Sequence, residues 1–345
     1  MSHLLSRIAD NQNIDLAFDW LCKAREDYSP NSDVWDLRYH WNEIKPSLQT
    51  QLLEGTFRFS AMQQYRFSDQ RLTLWTAVDA LVLRAMAQVL SEWIRPQLNQ
   101  VYHVKGQHGI SGALAVVNNN LSKHTFVLKT DIKQYYESIS HENLLAQLEA
   151  FIPDQKVLSL LRNAICRTET YGGLYWDVKV GIPMGSALSP LLGAVALHAW
   201  DQAMSKLGVV HARFMDDLIV LTKTRAKLKR VIRVTHQILK ELKLKLHPDK
   251  TYIGRISKGF DYLGFHLKPP EARVSLPCLL RAAAKARLLF EQTHNMDCVW
   301  HYWRRFLHWS RMKLRALQIT PHPGRPSLLS GLPSLLSGLP AGWFA

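Results

Sequence analysis

Apolar residues recur at helical spacing in several parts of the chain. The most regular run covers residues 227–242, where Leu, Val and Ile side chains share one helical face and basic side chains fill the other. An amphipathic helix is predicted after a short strand pattern that begins at Gln63, and Pro96 ends that helix. Helical patches also cover 15–25, 32–41 and 141–167, and the chain is helical again beyond Ser275.

Short β-rich runs separate these helices. A strand is predicted over 125–132, and a hairpin over 171–180 turns at a pair of glycines. Two further strands, 209–214 and 218–221, are joined by the tight turn Met215-Asp216-Asp217. The run 260–267 is predicted as one strand. Two of these strand patterns thus end in carboxylates.

Composition and charge narrow the classes of protein that fit. Hydrophobic residues make up 47% of the 345 residues and charged residues 21%, which excludes disorder for most of the chain. The formal net charge is +15, so the expected partner is a polyanion, either a nucleic acid or an acidic membrane surface.

Nothing in the sequence indicates secretion or a membrane span. The N-terminal stretch lacks a continuous apolar core, and the uncharged stretch 181–200 contains Pro183 and Pro190, so it is predicted to be buried. The four cysteines are far apart, without a CxxC pair, which indicates neither a disulfide framework nor a zinc site. A reducing compartment, the cytoplasm, is therefore expected.

The acids at the predicted strand ends are the most informative residues. Asp131 ends one strand, and Asp216 and Asp217 lie at the turn of the hairpin. Carboxylates crowded together repel unless cations lie between them, and their hard oxygens suit Mg²⁺. Two such ions would activate a 3′-hydroxyl and stabilise a leaving pyrophosphate. Taken alone, however, an Asp-Asp pair is also common at a solvated turn.

Five sequence blocks resemble reverse transcriptases in content and order. They are DIKQYYESI, GIPMGSALSP, FMDD, LHPDKT and FDYLGFHL, and the likeness runs from about Gln63 to Leu267. It is strongest to the bacterial branches: group II intron proteins, retrons, diversity-generating elements and defence-associated enzymes. The resemblance implies an α+β fold, a right-hand polymerase with a ferredoxin-like palm, fingers and a short helical thumb.

The same resemblance divides the chain into regions. A helical extension would occupy 1–60, the fingers 61–124, and the palm 125–272 with a fingers insertion at about 141–170. The thumb would cover 273–320, and a low-complexity tail with PSLLSGL repeated in tandem would cover 321–345.

The resemblance also implies the catalytic residues. Asp131, Asp216 and Asp217 would be catalytic and, with the carbonyl of Ile132, would hold two Mg²⁺ ions, for which Mn²⁺ could substitute. Tyr136 matches the steric gate that rejects a 2′-hydroxyl, with an ordinary core aromatic as the alternative. Met184 stands where the family most often has Gln, beside Gly185, and leaves an apolar contact at the nucleotide.

Other residues are implied as contacts to nucleotide or nucleic acid. Arg71, with Arg66 as the fallback, would grip the triphosphate, although such an Arg is also often a solvated surface residue. Lys250 matches a family lysine near the active site. Contacts to nucleic acid would come from the following residues: His103, Lys105, His108, Gly264, Arg304 and Arg305. For Gly264, simple packing in a hairpin is an equal alternative.

The sequence therefore predicts an RNA-directed DNA polymerase that uses an RNA template and a DNA primer. The Lys/Arg runs at 221–258 and 304–313 would line the template–primer groove, with a solvated helix face as the alternative. A retroelement or antiphage role with a dedicated noncoding RNA is expected. Two other functions stay open: an RNA-binding splicing cofactor of the maturase type, and a metal-dependent nuclease, which would have no use for a Tyr gate.

Overall fold

The computed structural model describes residues 3–67 and 70–316, and they form helices around three β-sheets. The helices are α1 His3–Ile8, α2 Asn11–Ala24, α3 Asp33–Tyr39, α4 Trp41–Glu54, α5 Ala77–Ile94, α6 Gly109–Leu121, α7 Tyr135–Ser138, α8 His141–Phe151, α9 Gln155–Ile165, α10 Ser189–Ala196, α11 His198–Lys206, α12 Arg225–Glu241, α13 Leu276–Thr293 and α14 Met296–Ala316. The strands are β1 Met62–Phe67, β2 Gln70–Leu74, β3 Phe126–Thr130, β4 Thr168–Tyr171, β5 Leu174–Asp177, β6 Val210–Phe214, β7 Asp217–Thr222, β8 Tyr252–Arg255, β9 Phe260–Tyr262, β10 Phe265–Lys268 and β11 Glu271–Val274.

The three sheets have different strand orders. The central sheet has the order β6-β7-β3-β8 and is antiparallel throughout. The outer sheet has the order β2-β1-β4-β5, in which β1 and β4 run parallel, and the small sheet has the order β11-β10-β9. Strand β7 is apolar along most of its length because helices cover both faces of the central sheet.

The two faces of the central sheet pack against different helices. On one face Leu128 and Val220 belong to the same core as Leu228 and Val231 of α12. On the other face the side chains of Val127, Ile219 and Leu221 pack with α6 in a second core, which also takes in residues of α14. Helix α12 and the C-terminal helix pair α13–α14 therefore lie on opposite sides of the central sheet.

Several predicted elements are divided in the structure. The predicted helix over 141–167 is two helices, because Pro153 interrupts it and Asp154 caps the start of α9. The predicted strand over 260–267 is wrong as a single strand: it is a hairpin of β9 and β10. Leu263 and Gly264 have φ values of 47° and 88°, which turn the chain there.

The described residues contain no candidate membrane span and no disulfide. None of the helices in this part of the chain combines the length and hydropathy needed to cross a membrane. The uncharged stretch 181–200 is mostly buried, as predicted, and the four cysteines are unpaired. The tail 321–345 lies outside the described residues.

The buried carboxyl group of Asp79, in the first turn of α5, should make the stability of the folded protein depend on pH. Its Oδ2 accepts hydrogen bonds from Thr76 Oγ1 at 2.7 Å and from the Ser60 amide at 3.1 Å, yet burial raises its pKa to about 6. A carboxyl whose pKa is raised on folding destabilises the folded state once it ionises, so this cost grows as the pH rises from about 4 to about 6. At 1.36 kcal/mol per pKa unit the cost is roughly 3 kcal/mol.

We therefore expect Asp79→Asn to unfold at higher urea concentration than wild type above pH 6, with the difference vanishing towards pH 4. Urea unfolding measured across this range checks the expectation, and the exposed Asp27→Asn serves as the control. An Asp79→Asn protein that is less stable than wild type at every pH would show that the carboxylate hydrogen bonds outweigh the burial cost.

Candidate active site

Three carboxylates meet at one end of the central sheet. Thr130, the last residue of β3, pairs with Leu218 of β7, so the neighbouring Asp131 and Asp217 lie side by side at that end. Asp216 stands in the two-residue connection between Phe214 and Asp217. The antiparallel register thus brings together acids that are far apart in the sequence.

The three carboxylates affect one another electrostatically. Burial raises the pKa of Asp216, and the neighbouring Asp131 raises it further. Burial also raises the pKa of Asp217, against the opposing effect of Lys129. Asp131 is itself buried. A site that disfavours its own negative charge in this way favours binding of a cation.

Two lysines neutralise part of this charge. Lys250 Nζ lies 2.8 Å from Asp131 Oδ2, and this hydrogen bond raises the pKa of Lys250. Lys129 Nζ lies 3.6 Å from Asp217 Oδ1. Lys250 therefore stands beside the acids, where the family resemblance implies it, whereas the contact of Lys129 was not anticipated.

Carboxylate and carbonyl oxygens are suitable ligands for a hard divalent cation. In the structure, however, these oxygens are not arranged around a common point where a metal ion could bind. Among residues 3–67 and 70–316, no three His, Cys, Asp or Glu side chains are arranged to hold a metal ion. Two of the three carboxylates are instead paired with lysine ammonium groups. Ile132, whose carbonyl was the fourth expected ligand, is buried and pairs with Leu246 in an isolated bridge.

The block that contains Tyr136 lies against the block that contains Met184. The amide of Ile182 donates to the carbonyl of Tyr136 at 2.8 Å, and the Tyr136 ring packs so closely on Gly193 that a Cβ there would lie 2.8 Å from it. Met184 is 60% exposed, and Gly185 has a φ of 79°. The loop therefore presents an exposed apolar side chain, Met184, two residues after the Ile182 amide that bonds to Tyr136.

A buried ion pair supports the hairpin that carries Asp216. The Arg213 guanidinium is fully buried and pairs with Asp201, and it also donates to the carbonyls of Ala194 at 2.8 Å and Met215 at 3.3 Å. Met215 has a φ of 56°, a conformation that costs a non-glycine residue about 1–3 kcal/mol. The hydrogen bond from Arg213 helps to hold this strained turn.

His103 holds the same turn from the other side. Its Nδ1 accepts the Met215 amide at 2.9 Å, and its Nε2 lies 3.1 Å from the carbonyl of Pro190. Burial lowers the pKa of His103 to about 3, so the ring is neutral. Both ring nitrogens of His103 therefore have protein partners. This geometry favours a role in holding the Met215 turn over contact with a template. Lys105 and His108 of the same loop are exposed.

The other predicted contacts are distributed over the molecule. Arg71 lies in β2 opposite Arg66, and its side chain is outside the described part of the structure. The Arg66 guanidinium stacks 4.2 Å from the centre of the Tyr171 ring. Gly264 has a φ of 88° and faces Cys278 and Trp309 of the C-terminal helix pair, and the side chains of Arg304 and Arg305 are exposed on α14.

The sequence contains a signal for the ion pair of Arg213 with Asp201. Arg213 is a charged residue inside an apolar strand pattern, and Asp201 directly follows the uncharged stretch 181–200. A charge in such surroundings is buried only with a partner. Lys129 gave no comparable signal, because alternate positions of a strand are often polar.

Comparison with known proteins shows the family to which the chain belongs. Residues 58–267, more than half of the chain, match the family model for reverse transcriptase (RNA-dependent DNA polymerase). The chain is 24% identical over 230 residues to protein YkfC of Escherichia coli strain K12, covering 55% of this chain and 60% of YkfC. It is also 24% identical over 166 residues to the group II intron-encoded protein LtrA of Lactococcus lactis subsp. cremoris, covering 48% of this chain and 28% of LtrA.

A solved structure shares the fold. Telomerase from Candida albicans, in complex with a fragment of telomeric RNA, superposes with a TM-score of 0.53 at 13% identity, over 81% of this chain and 59% of that one. The chain spans 60% or less of the length of these curated relatives. By the match over residues 58–267, the chain belongs to the reverse transcriptase (RNA-dependent DNA polymerase) family.

Proposed function

We propose that this chain is an RNA-directed DNA polymerase, which adds deoxynucleotides to the 3′-hydroxyl of a primer on an RNA template. The observation that carries the proposal is the convergence of Asp131, Asp216 and Asp217 at one end of the central sheet. Family membership and the telomerase-like fold support it.

The proposal assigns polymerase subdomains to the sheets. The central sheet, with β8 at its edge, is the palm within 125–272, and the outer sheet with α5 and α6 forms the fingers. Because β4 and β5 join β1 and β2, the fingers insertion extends from about 141 to Asp177. The helix pair α13–α14 is the thumb, and 1–60 form the helical extension.

The carboxylates and lysines would act on the triphosphate and primer end. Two Mg²⁺ ions, when bound by Asp131, Asp216, Asp217 and the Ile132 carbonyl, would lower the charge on the reacting oxygens. Lys250 is 53% exposed, so its ammonium can leave Asp131 and turn to the phosphates of an incoming nucleotide. Lys129 keeps Asp217 paired and oriented. His103 and Arg213 fix the turn that sets the position of Asp216.

The nucleotide pocket would be formed by the two adjoining blocks. The Tyr136 ring, backed by Gly193, lies under the sugar, and Met184 and Gly185 contact the nucleotide from the loop. Arg71 would bind the triphosphate from β2. Template and duplex would be held by exposed basic groups, at Lys105, His108, Arg304 and Arg305, whereas Gly264 packs against Cys278 and Trp309.

The test is extension of a DNA primer on an RNA template with labelled deoxynucleotides and Mg²⁺. Template-dependent extension is the expected result. RNA binding without any extension would instead support the splicing-cofactor function, and RNA cleavage would support the nuclease. A dedicated noncoding RNA, part of the same proposal, is tested by sequencing the RNA that copurifies with the chain from its native host.

Tyr136→Ala is expected to admit ribonucleotides. Removing the ring opens the space beside the sugar, so the preference for deoxynucleotides should fall roughly 10–100-fold, the size of effect expected from a shape-based pocket. The measurement is the ratio of kcat/KM for a deoxynucleotide to that for the matching ribonucleotide.

Tyr135→Phe is the matched control. The Tyr135 hydroxyl donates to the buried carbonyl of Gly193, so this variant should lose about 1–2 kcal/mol of stability and keep its sugar preference. A Tyr136→Ala enzyme that discriminates as wild type does would remove Tyr136 from the role of gate.

A further inference from the structure

Helix α12 carries a straight stripe of cationic and His side chains on its outer face. Arg225, Lys229, Arg233, His236 and Lys240 follow one another at spacings of four, four, three and four residues, and all five are exposed. At 1.5 Å per residue the stripe is about 22 Å long. None of the five is paired with a carboxylate in the described structure.

The stripe destabilises the helix on which it lies. Like charges four residues apart repel, each pair by about 0.2–0.5 kcal/mol. The first turn contains Arg225 and no acidic residue, although the N-terminus of a helix favours negative charge. These unfavourable terms would be relieved by an anion bound along the stripe.

The position of α12 separates this stripe from the proposed duplex site. Its apolar face packs on the side of the central sheet that carries Leu128 and Val220, whereas α6 and α14 cover the opposite side. Arg304 and Arg305 therefore lie across the sheet from α12. The part of the 221–258 run that lies on α12 is therefore on the opposite side of the sheet from Arg304 and Arg305. The α12 stripe needs its own partner.

The chemistry of the helix favours a nucleic acid over a membrane. A helix that binds a membrane surface inserts an apolar face, but that face of α12 is buried in the core, through Leu228, Val231 and Leu239. No large apolar side chain of α12 is exposed. What remains accessible is a line of cations, which suits the regularly charged phosphodiester backbone of a polynucleotide.

We propose that the α12 stripe binds the backbone of a second segment of nucleic acid, outside the active site and on the opposite side of the palm. The inference deepens the proposed function, since it assigns a place to the part of an RNA that extends beyond the template–primer duplex. The contacts would be to phosphates and so independent of base sequence.

The experiment compares Lys229→Gln/Arg233→Gln/Lys240→Gln with a charge-matched control, Lys23→Gln/Arg38→Gln/Arg162→Gln, whose exposed residues lie on α2, α3 and α9. Two probes are titrated by fluorescence anisotropy: a long structured RNA, and a short primer–template that fits only the active site. Single-stranded DNA of the long RNA's sequence, and vesicles of phosphatidylserine, are the further arms.

We expect the stripe variant to bind the long RNA at least about tenfold more weakly than wild type. The slope of log K against log salt concentration should become less steep by about two, because phosphate contacts are lost. Binding and extension of the short primer–template should not change. A similar loss for the long DNA would also support the proposal and would show that either polymer occupies the stripe.

Four outcomes would overturn the proposal. The first is wild-type affinity of the stripe variant for the long RNA. The second and third are equal loss in the control variant and equal loss on the short primer–template. The fourth is loss of vesicle binding with RNA binding intact, which would assign the stripe to a membrane. Failure of wild type to extend primers contradicts the proposed function alone, because the binding comparison does not depend on catalysis.

Discussion

Asp216→Asn should abolish primer extension while leaving template binding intact. The substitution keeps the shape of the side chain and removes a charge that, under the proposed function, would hold cations beside Asp131 and Asp217. Transition-state stabilisation by such cations amounts to several kcal/mol, and each 1.36 kcal/mol is a factor of ten in rate, so kcat should fall by at least about 10³-fold. Single-turnover extension on a prebound primer–template measures the loss.

The folded state of this variant is expected to be at least as stable as wild type. Burial and the neighbouring Asp131 raise the pKa of Asp216. In the metal-free protein the ionised carboxylate therefore lowers the free energy of unfolding, and Asn removes this destabilising charge. The exposed Asp27→Asn is the control and should extend primers normally. An Asp216→Asn protein that extends at more than about a tenth of the wild-type rate would contradict the assignment.

Arg213→Met should cost about 3–5 kcal/mol in the free energy of unfolding. It leaves the buried carboxylate of Asp201 without its partner, and an uncompensated charge in the core is strongly unfavourable. Urea unfolding measures this loss. Arg7→Met, which breaks an exposed ion pair with Glu92, is the control and should cost less than about 1 kcal/mol.

The double variant Arg213→Met/Asp201→Leu separates stability from positioning. Removing both charges should recover about 1–3 kcal/mol relative to the sum of the single variants. Extension should stay impaired, because the carbonyl of Met215 still lacks the donor that Arg213 supplied. Recovery of both stability and extension would show that Arg213 serves the fold alone.

Local patterns in the sequence predicted much of this fold. The hairpin of β6 and β7, with its acids at the turn, follows from two apolar runs joined by a short polar connection. Helix α12 follows from its apolar periodicity. These elements are determined by residues near one another in the sequence, and so a single sequence suffices to find them.

Contacts between distant segments were harder to predict. The pairing of β1 with β4 joins residues more than a hundred positions apart, and neither strand pattern specifies the other. The side of the sheet on which α12 packs is likewise set by the whole core and not by its own periodicity. For the same reason the sequence identified Asp216 but not its support by His103 and Arg213, which depends on where three segments meet.

The parallel pairing of β1 and β4 has a mechanical consequence. Glu169 of β4 pairs with Met62 of β1, and its carboxylate binds Arg167, which donates to the carbonyl of Gly181 at 2.9 Å. The outer sheet and the loop that carries Met184 are thus linked through a buried ion pair and a buried hydrogen bond. A rotation of the outer sheet would therefore displace that loop. The hydrogen bond from the Ile182 amide to the Tyr136 carbonyl would pass the displacement on to Tyr136.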